Sequence, residues 1–500
     1  MKSGEGKFPR ISIPNLGWQA LKWNYLGNII RSLSQFVIGI LLARMLGPEP
    51  FGIVAVAWII LGIGNLFADL GFGSALVQRE KLSTLDLRFI FTCQMVFAVF
   101  LTASGILSAQ YVAAYFHKPE ATLVIQAMFF LFVFQALGQT AAAVLRRTMN
   151  FKTLQQITVM SYLTGYILIG FPAAYFGLGV WSLVAAQLVQ SLLSSILLVR
   201  ATSVPLTPYF HRGSPDIVSF GLKVTAANLS SWSISNLDTV FIGRAFGVID
   251  LGLYNRALTL LNTPMNMIAT GFQGVLFASC SRTQNDPAKI KRIYLETNAA
   301  VAAICFPIFV TAAVVPETII LGVYGAKWQA AVPVITPLSL AVLVNALLAI
   351  KGPILMAGNR VGVELKNQIY TILLFVPALF ITIQYSLIAV AWAVLATFMV
   401  RWILLTIDTL RFTGATAGEY ASTFRIPILF GAGVSAAAAA AENFLSFLAP
   451  FARLTAVAAV AAISLLIFLR LFGGRFLKTN MGTLVEVKNL SGFARRFLNV

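Results

Sequence analysis

Charge is the scarcest commodity in this chain. Only 11% of its 500 residues are Asp, Glu, Lys or Arg, against about 25% in an ordinary soluble domain, which excludes a water-soluble globular fold. Histidine is almost missing: His117 and His211 fall in separate loops, and neither a His-based metal site nor a shared acid-base pair is available to them. The three cysteines, Cys93, Cys280 and Cys305, lie in or beside apolar runs with no CxxC spacing. They read as small packing residues and not as a disulfide framework or metal ligands. No GxxxxGK[ST] loop occurs, so the chain carries no ATP-hydrolysing P-loop of its own, and no Asp-x-Asp pair is present to hold a metal-bound sugar nucleotide. The opening "MKSGEGKFPRISIPNLGWQALKW" lacks the apolar core and small-residue cleavage site of a signal peptide, so the first hydrophobic helix is expected to act as its own insertion signal. No cofactor and no metal is expected, and nothing here points to an enzyme.

Hydrophobic residues, at 58%, fill the space that charge leaves. A helix crosses the hydrocarbon core with about 20 mostly apolar residues. That ruler gives fourteen candidate spans between residues 23 and 472, the most polar being those that start at Leu222 and Leu253. The expected fold is an all-α polytopic membrane protein: a 1–22 cytoplasmic tail, an N-lobe over 23–200, a C-lobe over 201–411, an extra pair over 412–472 and a basic tail over 473–500. With the N-terminus placed in the cytoplasm, most of the 36 Lys and Arg fall on the cytoplasmic side. This satisfies the positive-inside rule and puts both termini there. The net charge of +19 is then a topology signal, aided by anionic lipid, and nucleic acid is excluded as a partner.

The chain repeats itself. Residues 44–76 align without gaps on 244–276, with identities at Arg44, Gly47, Gly52, Ala57, Leu61, Gly71, Phe72 and Leu76, so "RMLGPEPFG" is written again as "RAFGVIDLG". Each copy opens a block of six spans, and an even number of crossings gives both blocks one orientation. Two parallel-repeat lobes around a central cavity are therefore expected.

Polar residues recur at helical spacing in the first helix of each block: Asn24, Asn28, Arg31 and Gln35, then Asn228, Ser231, Ser235 and Asp238. Steps of three and four put each set on one face, turned from lipid. The second helices add Asn65 and Asp69, then Asn262, Asn266 and Gln273. Uncharged polar residues in a bundle also serve simply to bond neighbouring helices. An embedded charge costs roughly 2.5 to 3.5 kcal/mol at a helix centre and is a functional candidate by default. Arg31 is the leading one. Lys351 sits by a Gly-Pro step expected to kink its span, and both it and Arg401 have a second reading as snorkelling groups; Arg256 lies near a helix end. Asp69 and Asp238 are candidates for charge pairing or coupling. The cations Arg31, Arg256, Lys351 and Arg401 outnumber these two acids, which favours an anionic cargo. Arg44 and Arg244 are expected to end their helices beside left-handed glycine caps at Gly47 and Gly247, a role at a periplasmic gate being the alternative.

The stretches "LLARMLGPEPFGIVAVA", "NLFADLGFGSALVQRE", "NLDTVFIGRAFGVIDLGLYNRA" and "YGAKWQAAVPVITPLSLA" resemble the polysaccharide-transporter flippases, Wzx and especially WzxC-like, of the multidrug/oligosaccharidyl-lipid/polysaccharide superfamily. The likeness spans about residues 20 to 411. It implies a bacterial inner-membrane protein that flips an undecaprenyl-pyrophosphate-linked oligosaccharide repeat unit for exopolysaccharide, capsule or lipopolysaccharide synthesis, by alternating access. On that reading Arg31, with Lys351 or Arg256, holds the pyrophosphate, and Asn28, Gln35, Asn228 and Ser235 meet the sugars. Membrane lipids, a polysaccharide polymerase and chain-length or export proteins would be its partners. The rival readings on the same fold are a cation-coupled multidrug exporter and a lipid II flippase.

Overall fold

The computed structural model describes residues 13–69, 84–202, 204–209, 232–283 and 286–480, and of residues 13–21, 66–69, 275, 278, 281, 282, 361, 475 and 477–480 only the backbone. The chain falls into two compact units, one up to Gly252 and one from Leu253 onward. All regular structure among the described residues is helical, as a bilayer demands of a chain whose backbone polar groups must be satisfied within each segment.

The first unit contains α1 (Ile13–Leu46), α2 (Pro48–Asp69), α3 (Thr84–Tyr115), α4 (Ala121–Arg147), α5 (Phe151–Tyr175), α6 (Val180–Thr202) and α7 (232–245). Helix α4 is central: α2, α3 and α6 pack on it, while α1 lies along α5. Small residues allow the close approach. A Cβ on Gly105 would collide with the Phe129 ring, and one on Gly138 would lie 2.8 Å from the Ser195 backbone. Hydroxyls bond across the same contacts, Thr102 donating to the Phe129 carbonyl at 3.0 Å and Thr140 to Gln94 at 2.8 Å. Within α5, residues Thr164–Gly170 widen into a π-helix just before Pro172. Helix α7 lies within this unit, with Trp232 against Gly62 and Gly243 against Phe116.

Beyond α8 (Val248–Arg282), whose first turn still belongs to the first unit, the second unit holds α9 (Pro287–Val314), α10 (Pro316–Val323), a 3-10 turn (Ala326–Ala331), α11 (Val332–Ala349), α12 (Lys351–Ala357), α13 (Val361–Thr382), α14 (Leu387–Thr413), α15 (Ala417–Ser422), α16 (Arg425–Phe444) and α17 (Pro450–Asn480). Helix α9 packs on α11 and α16, α11 on α14, and α17 on α16 and α10. Its core is rich in fully buried aromatic rings, among them Tyr254, Tyr294, Phe309 and Trp328.

Twelve helices among the described residues are long and apolar enough to cross a membrane. The two most polar spans expected from hydropathy, α7 and α8, are helical but stand outside that set, α7 being described only from residue 232. Large apolar side chains line the outside, such as Leu107, Leu373, Phe380 and Ile467, as lipid contact requires. The caps expected at the duplicated loop are present: Gly47 and Gly247 have φ of 81° and 85°, and Arg44 lies in the last turn of α1.

The kink expected at the Gly-Pro step is also there, with a cause that can be traced atom by atom. Pro353 has no N–H to give the carbonyl four residues earlier, so the helix breaks between α11 and α12 and the carbonyl of Ala349 is left over. The side chain of Gln273 donates to it at 3.0 Å.

Candidate functional site

Helix α1 has two exposed faces of opposite character. Tyr25, Leu26, Ile29, Ile30, Leu33, Val37 and Leu41 form an apolar face between 42% and 52% exposed. At 100° per residue, Asn24, Asn28, Arg31 and Gln35 share a narrow arc on the other side, where Asn28 and Gln35 are exposed and Asn24 and Arg31 half-buried. One face suits lipid; the other suits water or a polar ligand.

That polar arc is supported from α5. The amide of Gln155 donates to Oδ1 of Asn24 at 3.1 Å and to Oδ1 of Asn28 at 3.2 Å, and Gly27, between them, leaves no room for a Cβ against the Gln155 side chain. The amides are thereby oriented. Arg31, one turn further on, makes no hydrogen bond or ion pair among the described residues, and its Nε is buried without a partner. Gln155 was not anticipated, because the link between α1 and α5 spans more than a hundred residues.

The polar set on α7 is only partly described. Asn228 and Ser231 lie outside the described residues, and so does the side chain of Asp69. Ser235 is exposed. Asp238 is buried and turns back on its own helix, accepting from the Thr239 N–H at 2.8 Å. Arg244 stands at the loop, exposed, against the His117 ring (2.8 Å to Nδ1) and 5.1 Å from the Tyr115 ring centre. His117, exposed in its loop, is thus a contact of the duplicated loop.

In the second unit the candidate cations are occupied with protein. Lys351 is fully buried. Its ammonium donates to Oγ1 of Thr406 and to the Trp402 carbonyl at 3.3 Å, and it lies 5.0 Å from the Trp402 ring centre and 5.7 Å from that of Tyr420. It neither snorkels nor reaches an open cavity in this state. Arg401 pairs with Glu364 at 2.9 Å, both side chains mostly buried. Arg256 is half-buried, and its carbonyl accepts from the Tyr324 hydroxyl at 3.3 Å.

The acid count taken from the sequence also needs correction. Glu296 and Glu442 lie in spanning helices and were not weighed. Glu296 is paired with Arg292 at 2.9 Å, and Glu442 accepts from the Thr318 N–H at 3.3 Å at the start of α10. Pairing, and not the number of charges, therefore sets the sign of what is left over. What is left over on the polar arc of α1 is a guanidinium.

One cavity of about 540 Å³ opens in the second unit, lined by Leu343, Leu347, Met399, Trp402, Phe424 and Ile428 among other apolar groups. Its walls suit hydrocarbon and offer sugars nothing to bond. Among the described residues no cluster of His, Cys, Asp or Glu is arranged to hold a metal ion.

Comparison with known proteins gives the family and the fold. Residues 41–333 match the family model described as polysaccharide biosynthesis protein. The teichuronic acid biosynthesis protein TuaB of Bacillus subtilis (strain 168) is 25% identical over 394 residues, 77% of this chain and 81% of the relative. The lipopolysaccharide biosynthesis protein WzxC of Escherichia coli (strain K12) is 24% identical over 72% of this chain and 74% of its own length. Among solved structures, that of the lipid II flippase MurJ in an inward closed conformation superposes with a TM-score of 0.69 at 13% identity, covering 91% of this chain and 99% of that one. At that identity the likeness is one of fold.

Proposed function

Because this chain belongs to the polysaccharide biosynthesis protein family, we propose that it carries a lipid-linked oligosaccharide repeat unit across the bacterial inner membrane, from the cytoplasmic to the outer leaflet, by alternating access and without a covalent step. The observation that carries the reading is the polar arc of α1, with Arg31 uncommitted to any protein partner among the described residues. A guanidinium forms paired, charge-assisted hydrogen bonds with phosphate oxygens, so Arg31 takes the pyrophosphate of the undecaprenyl carrier. Asn28, Gln35, Asn228 and Ser235 offer amide and hydroxyl groups to the sugars. Amides suit sugars because each both donates and accepts. Both termini lie in the cytoplasm, where most of the basic loops fall.

An exporter of organic cations on the same fold would present uncommitted carboxylates. Here Glu364 is bound to Arg401, Glu296 to Arg292, and Asp238 bonds its own helix. The names of TuaB and WzxC also attach to surface polysaccharides and not to drugs.

The test is Arg31→Ala in a strain that depends on this chain for its polysaccharide. Lipid-linked repeat units should accumulate on the cytoplasmic side and surface polysaccharide should fall at least about tenfold, the consequence of removing one charged contact of about 1.5 to 3 kcal/mol. Normal export at wild-type protein levels would sink the reading.

A further inference from the structure

The duplicated loop does more than mark a repeat, because its two copies touch. A Cβ built on Gly52 would lie 1.6 Å from the carbonyl oxygen of Val248, and one on Gly252 would lie 2.1 Å from that of Pro48. The same two built atoms come within 3.1 Å and 3.0 Å of the amide nitrogens of Gly252 and Gly52. Each contact is the other with 200 added to or taken from both residue numbers. A local two-fold relation therefore runs between the two glycines, where the first turns of α2 and α8 meet backbone to backbone. No side chain fits at either position, and a carbonyl held in a helix cannot step aside.

The turn between α3 and α4 clasps both copies. On one side the ammonium of Lys118 is bound to Glu49 at 2.9 Å and to Glu120 at 3.0 Å. On the other, Phe116 fills the space beside Gly243, and His117 and Tyr115 hold Arg244. Residues Tyr115 to Glu120 thus touch the first copy at Glu49 and the second at Gly243 and Arg244.

We infer that this seam, glycine on glycine and clasped by the α3–α4 turn, is the closure that seals the transport path on the side these loops face. The inference rests on the alternating-access reading above. It adds the residues that must part for the path to open there. Gly52 and Gly252 set how closely the seam shuts, and Lys118 and Arg244 set how firmly it is held.

The experiment uses the full chain with Cys93, Cys280 and Cys305 replaced by serine and a single reporter, Gln35→Cys, on the polar arc of α1. Labelling by a membrane-impermeant maleimide is followed in intact spheroplasts and in inverted vesicles. Gly52→Leu or Gly252→Leu should raise the labelling rate from the loop side about tenfold, the factor expected when a closed state loses its fit. Gly271→Leu, at a position with open space around it, should leave the rate unchanged. The double change Lys118→Met with Arg244→Gln leaves the glycine backbone alone and should raise the rate about threefold, so it decides the matter even where the leucine variants fail to fold. Unchanged labelling in the clasp variant, with protein at wild-type level, overturns the inference. The readout does not depend on the cargo: labelling that shifts while Arg31→Ala exports normally removes the proposed function and leaves the seam standing.

Discussion

Arg31 and Lys351 are both cations in membrane helices, and the structure treats them in opposite ways. Arg31 stands on an exposed polar arc, flanked by amides held from α5, with no acceptor of its own among the described residues. Lys351 is enclosed by Thr406, Trp402 and Tyr420. A charge that the protein has already solvated is part of its architecture, whereas one without a protein partner stays open to another molecule. The difference shows why the polar content of a span is a weaker guide than the disposition of its partners.

That contrast can be broken most directly at Lys351. Lys351→Ala should lower the unfolding free energy in detergent by about 3 kcal/mol, the range for truncating a large buried side chain. Lys351→Met, which keeps the volume and removes the charge, should lose much less, since apolar replacement of buried ionic groups is often near neutral. If methionine is as harmful as alanine, and transport fails at normal protein levels, Lys351 belongs with Arg31 after all. Glu364→Gln should come next, at about 2 kcal/mol, because it leaves the mostly buried Arg401 without its carboxylate. The double change with Arg401→Met should recover most of that loss; a purely additive result would mean that the pair is not coupled.

Gln155→Ala is the smaller test of the first unit. It removes both donors to Asn24 and Asn28 and should cost about 1 kcal/mol in thermal unfolding. Transport should fall further than that loss of stability accounts for, since the arc loses its orientation. The smallest effect belongs to the loop. Hydrogen bonds first to Glu49 and then to Glu120 raise the Lys118 ammonium above its ordinary 10.5. A raised folded value means that the stabilisation is fully present below about 10.5 and disappears as pH climbs through the raised value. The pair is partly exposed, at 24% for Lys118 and 47% for Glu49, and water screens it, so Glu49→Gln should cost only about 0.2 to 1 kcal/mol at neutral pH. The gap from wild type should close above pH 10.5 in a thermal melt.

Much of this was legible from residue order alone. The 3.6-residue spacing of Asn24, Asn28, Arg31 and Gln35, the caps at Gly47 and Gly247, and the break before Pro353 all follow from local stereochemistry. What lay out of reach depends on helices distant in sequence. Gln155 reaches α1 from α5, Gln273 finds the carbonyl that Pro353 abandons, and Trp402 and Tyr420 close over Lys351 from α14 and α15. Sequence spacing fixes the direction of a side chain on its own helix, but not which other helix will be standing there. Counting acids and cations failed for the same reason: Glu296 and Glu442 are spent inside the protein.

The contact between the two loop copies has a bearing on how a duplicated chain changes over time. Between their shared glycines the copies differ at every residue, Pro48 to Phe51 against Val248 to Leu251. A fit made of carbonyls and bare α-carbons does not depend on which side chains surround it. Each copy is then free to drift toward its own task while the backbone surface by which the two copies meet stays the same.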